Sequence, residues 1–126
     1  MPQPERPRQV AWVIHPLKGD VAGNIARAKR WLQFLIRTFP GLDFEAGWIL
    51  WCEVLNDANP AERERGLQFC EAMIHRLDEV WVVGGRISEG MQREIEIAGA
   101  AFKPITNLTY LGEEPPIDWK PLEECI

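Results

Sequence analysis

A three-layer α/β domain is the architecture this sequence predicts, with a small parallel sheet of four to five strands covered by helices on both faces. Three observations lead there. The short apolar runs are apolar throughout rather than alternating, as strands buried on both faces are. Segments of helical period separate them, giving the order β-α-β-α-β-α-β. Capping residues, prolines and glycines punctuate the joints where helices should start and stop.

The elements follow in order. Residues 1–9 hold three prolines and mixed charge, and read as a flexible N-terminal arm. Residues 10–14 are a buried strand ending at His15-Pro16. A loop runs from Leu17 to Gly23, and Asn24 reads as the cap of the first helix. Ile25, Ala28, Leu32, Leu35, Ile36 and Phe39 give that helix its stripe, and Pro40-Gly41 ends it. The apolar run 48–52 predicts the second strand. Asn59-Pro60-Ala61-Glu62 has the cap, the first-position proline and the capping-box glutamate of a helix start. Leu67, Cys70, Ile74 and Leu77 form its stripe, residues 80–83 the third strand, and Ser88 opens a helix to about Ala101. Residues 103–108 are a short fourth strand. The domain spans 10–111, and the proline-rich tail 112–126 reads as extended rather than packed. Right-handed crossovers make the topology flavodoxin-like or Rossmann-like.

Composition narrows the function. The chain has 126 residues, 46% of them hydrophobic, which is enough for a globular core. No apolar run is long enough to span a membrane, and the N-terminus lacks the apolar stretch of a signal peptide. Three cysteines and two histidines share no metal-ligand spacing, so a reduced, cytoplasmic setting without metal or cofactor is expected. A net charge of −5 with no basic run argues against an extended nucleic-acid partner, but not against a single nucleotide.

Four loops reach the C-terminal edge of such a sheet, where ligands bind. The most telling is Gly84-Gly85-Arg86-Ile87-Ser88, which links strand to helix. Its glycines allow a tight turn, the free amides of the helix start suit an anion, and Arg86 and Ser88 can add contacts. A plain capped turn is the competing reading. On the helix, Glu94 stands where an apolar residue belongs. Gly90, Met91 and Ala98 project within about 60° of it, whereas Glu96 projects about 200° away. A carboxylate facing a core must be paired, protonated or used. Gly90 either opens space beside it or permits close helix–sheet packing. Lys18, Gly19 and Asp20 reach the same edge, with a lysine for phosphate and an aspartate for a sugar hydroxyl; His15 is a further polar contact. The tryptophans of the strand runs read as core, as dimer surface or as a stacking platform for a base.

These residues together resemble the nucleoside 2-deoxyribosyltransferase-like superfamily over about residues 10–106, which also contains 2′-deoxynucleoside 5′-monophosphate N-glycosidases. The nearest form is a group of short bacterial and phage domains. Their Pro-x-(Lys/Arg)-Gly-Asp loop with a following Asn matches residues 16–20 and Asn24. Their (Asn/Asp)-Pro-x-Glu-Arg helix start matches 59–63, and their Asp-Glu-(Leu/Val)-Trp-Val strand matches 78–82. Arg-Ile-Ser-x-Gly-Met-x-x-Glu-Ile matches 86–95.

The resemblance implies that Glu94 is the catalytic nucleophile and Gly90 the glycine of a Gly-x-x-x-Glu motif. Deoxyribosyltransferases have an aspartate six residues before the glutamate. Ser88 stands there, as in the monophosphate N-glycosidases, where it looks like a phosphate ligand. Lys18-Gly19-Asp20 is similar to their Arg-Gly-Gly loop. One departure is Cys70, which occupies the place of a catalytic aspartate on the preceding helix; Glu71 is adjacent but on another face. The implied activity is N-glycosidase or deoxyribosyltransferase chemistry on a nucleoside or its 5′-monophosphate, in a homodimer whose pocket borrows from a neighbour. Six tryptophans also suggest more aromatic surface than one small core hides. A nucleotide-binding module without turnover and a structural dimer without ligand are the alternatives. Base, sugar, and hydrolysis versus transfer stay open.

Overall fold

The computed structural model describes residues 7–116. The first six residues of the expected arm and residues 117–126 of the expected tail lie outside that range. β1 (Val10–Ile14) forms at the first apolar run, and all but its first residue is buried. α1 (Val21–Thr38) starts about one turn earlier than the sequence suggests, because Asp20 caps it, accepting from the Gly23 amide at 3.1 Å. Asn24 is therefore not the cap. It is buried inside the helix, and its amide donates to the carbonyls of Leu17 at 2.9 Å and Lys18 at 3.1 Å, tying down the β1–α1 loop.

The second strand is also elsewhere. β2 is Asp43–Glu45, and residues 48–52, expected as a strand, begin α2 (Trp48–Val54). A five-residue apolar run has no readable period, so helix and strand cannot be told apart by pattern. In the helix Trp48 and Ile49 turn inward while Leu50 and Val54 face out. The Trp48 indole donates to the Val13 carbonyl at 2.9 Å, pinning α2 to the sheet. β2 needs no apolar run because it is a three-residue edge strand.

α3 (Pro60–Arg76) begins as the sequence predicts, with Asn59 accepting from the amides of Ala61 and Glu62. Glu62 does not close a capping box; it accepts from the Asn56 amide at 3.4 Å instead. β3 (Glu79–Val82), α4 (Glu89–Ala100) and β4 (Ile105–Asn107) follow, and Ser88 caps α4.

The sheet is four-stranded and parallel, in the order β2-β1-β3-β4. Right-handed crossovers put α1 on one face, and α3 and α4 together on the other. α3 packs on α4, and α2 on α3. The chain leaves β1 toward β2 but leaves β3 toward β4, so a crevice opens beyond the C-terminal ends of β1 and β3.

The core hides more aromatic surface than composition suggests. Trp12, Trp31, Trp48 and Trp81 are buried, and half-buried Trp51 stacks on Phe69 at 4.0 Å. The start of the tail is packed rather than free. Arg30 grips the Glu114 carboxylate with two hydrogen bonds of 2.9 and 2.7 Å, the Trp31 indole donates to the Glu113 carbonyl at 2.7 Å, and Pro115 is buried. No helix among the described residues is long and apolar enough to cross a membrane.

Candidate functional site

A cavity of about 410 Å³ occupies the crevice, a size typical of small-molecule sites. Its floor is the end of β1, at Ile14 and His15. Leu17, Lys18 and Val21 form one rim, the first turns of α4 a second, and α2 and α3 the far wall.

Glu94 comes from the second turn of α4. The Trp12 indole, from the central strand, donates to its Oε2 at 3.1 Å, and among the described residues none donates to Oε1. Burial pushes the carboxyl up from 4.5 to about 7, against the opposing pull of the Trp12 hydrogen bond and the Arg93 charge. A group so poised exchanges protons near neutral pH, which suits acid, base or nucleophilic work. Gly90, one turn earlier, has no atom within 4 Å of where a Cβ would stand. The close-packing reading of this glycine therefore fails, and the space beside Glu94 is open.

Cys70 lines the cavity near Glu94, and burial with the nearby Glu94 charge pushes its thiol up to about 12. The position that the resemblance gives to an aspartate thus holds a neutral thiol. Cys52 stands on the same wall, and burial raises its thiol too. Glu71, expected on another face, also borders the cavity, where Arg93 approaches it at 3.8 Å.

The structure gathers His15, Lys18, Ser88, Gly90, Met91 and Glu94 around one space, and leaves Gly19, Asp20 and Arg86 off its wall. Gly19 takes the left-handed turn that leads into the Asp20 cap. Arg86 is exposed, and its charge helps to lower the His15 pKa. Ser88 Oγ accepts from the Met91 amide at 3.3 Å, so its hydroxyl proton stays available to a ligand.

His15 is buried, with Nδ1 2.7 Å from the Pro16 carbonyl, so Nδ1 carries the proton. Burial lowers its pKa to about 4, with the Arg27 and Arg86 charges adding to the effect. It is neutral at physiological pH, and Nε2 has no partner among the described residues. Gly84 is required beside it: a Cβ there would lie 2.6 Å from Pro16 Cδ and 2.8 Å from His15 Cδ2, at a φ of 104°.

The sequence does not assign most of the far wall to the site: Cys52 on α2, Asp57 in the loop, and Glu62, Arg63, Gly66 and Leu67 on α3, while Trp48 and Trp51 read only as core, dimer surface or a stacking platform for a base. Taking residues 48–52 for a strand hid the first group. The α3 set was legible, because residues 62, 63, 66, 67, 70 and 71 lie on one helical face. Among the described residues, no three His, Cys, Asp or Glu side chains cluster as metal ligands would.

The fold and cavity define a small parallel α/β domain with one partly desolvated carboxylate at its topological switch point. The chain belongs to the family described as a domain of unknown function, DUF7768, whose profile matches residues 9–108. No curated protein matches it.

Proposed function

We propose that the cavity binds a nucleoside or nucleoside 5′-monophosphate and that Glu94 cleaves its N-glycosidic bond. One observation carries this reading: a carboxylate in a mostly apolar wall, with one oxygen held by Trp12 and the other without a donor among the described residues. The ionised Glu94 attacks C1′, and the C1′–N bond breaks with its electron pair leaving on the base, which takes a proton from solvent. The resulting glycosyl ester is resolved by water or by a second base. A transition state of oxocarbenium character is stabilised by a carboxylate at that point. Lys18 and Ser88 line the cavity beside the helix start of α4 and are the groups to hold a 5′-phosphate, which Glu89 in the first turn opposes. The resemblance to the deoxyribosyltransferase-like superfamily supports the same chemistry.

A second reading, nucleotide binding without turnover, is favoured by the neutral thiol of Cys70 in the aspartate's place. Incubation with deoxynucleosides and their 5′-monophosphates, with chromatography for free base, separates the two. Release that is lost in Glu94→Gln supports cleavage. A thermal shift without release supports binding alone. The absence of both responses overturns the nucleotide reading.

A further inference from the structure

Two helical glycines line this cavity, Gly90 in the first turn of α4 and Gly66 in the interior of α3. Glycine is the least favourable residue in a helix interior apart from proline, so Gly66 needs a reason. Gly23 shows what a structural reason looks like: its Cβ would meet the Asp20 carboxylate and force it out of its capping position. Gly66 has no such reason. Its φ is not positive, and a Cβ there would meet only Leu55 Cδ1, at 3.6 Å, an ordinary contact. Alanine fits the fold at this position. What it would take is volume from the cavity.

We infer that Gly66 is a specificity-determining position whose missing side chain makes room for the base of a bound nucleotide. This rests on the nucleotide reading and adds the orientation of the ligand. Around Gly66 the wall is apolar, formed by Leu55, Leu67, Trp51 and Cys70. The carboxylates of Asp57, Glu62 and Glu71 line the cavity with Arg63 and Arg93, and Arg93 meets Glu71 at 3.8 Å, so on this side acidic groups outnumber the cations and oppose a phosphate. The phosphate therefore belongs at Lys18 and Ser88, and the flat heterocycle against α3. A two-ring base reaches further along that wall than a one-ring base, so it depends more on the space that glycine leaves.

The test measures stability and binding together, with dAMP and dCMP as probes. Gly66→Ala should raise the melting temperature by a few degrees, because alanine is the better helix former in a position it fits. The same change should weaken dAMP binding by about tenfold and dCMP binding by less than about threefold. Gly66→Leu, also a good helix former, should abolish dAMP binding while the far-ultraviolet circular dichroism of the parent is kept. Opposite signs for stability and binding are the signature, since a merely structural glycine would lose both. A lower melting temperature for Gly66→Ala would mean that the glycine serves α2–α3 packing, and would overturn the inference. So would parental dAMP affinity in both variants. If the parent binds neither nucleotide, the nucleotide reading fails and takes this inference with it.

Discussion

Replacing Glu94 with glutamine tests the site through stability as well as chemistry. Raising the carboxyl from 4.5 to about 7 makes its ionisation in the folded chain about 3 kcal/mol harder than in the unfolded chain. Between those two values the folded chain holds more proton at this position than the unfolded one. Parental stability therefore falls as pH rises through that window and levels off above it. Glutamine is neutral at every pH and keeps an oxygen to accept from Trp12. Glu94→Gln should match the parent near pH 4.5 and exceed it by up to about 3 kcal/mol at pH 8, roughly 10 °C in melting temperature. Thermal unfolding followed by tryptophan fluorescence at both pH values measures this. Base release should disappear in the same protein, because an amide cannot form the glycosyl ester. A loss of about 3–5 kcal/mol at pH 8 would mark Glu94 as a member of a buried ion pair and refute the desolvation argument. Parental activity in the variant would remove Glu94 as nucleophile.

Three further outcomes are expected. Trp12→Phe removes a hydrogen bond that favours the ionised Glu94, so the pH at which base release reaches half its plateau should rise above about 7, by about one pH unit; an unmoved profile would reduce Trp12 to packing. A 5′-monophosphate should bind about 30-fold more tightly than its nucleoside, or about 2 kcal/mol, and Ser88→Ala should erase much of that gap while costing about 1 kcal/mol of helix-cap stability. Calorimetry with matched ligands reads the first, and equal affinities would leave Ser88 as a cap only. Gly85→Ala should destabilise the fold by about 2 kcal/mol or more, because φ is 81° and the new methyl would sit 2.7 Å from the Glu113 amide nitrogen; urea denaturation at parental midpoint would show that this tail contact yields freely.

The sequence by itself determined the features that are written locally. Apolar runs fixed β1 and β3, because a strand buried on both faces has no polar side to show. Asn59-Pro60 and Ser88 set the starts of α3 and α4 through side-chain caps that reach only two or three residues. Helical phase alone turned Glu94, Gly90 and Met91 to one side. Tertiary structure decided what depends on partners distant in the chain. Residues 48–52 became a helix because Trp48 finds the Val13 carbonyl and β2 takes the sheet edge, and a five-residue run holds no record of either. Asn24 turned inward because the loop carbonyls before it needed donors. The raised carboxyl of Glu94 and the raised thiol of Cys70 come from burial, and burial is a property of what α2, α3 and the sheet enclose. The helical period could aim a carboxylate at a core; only the packing of four elements made the place it faces a cavity.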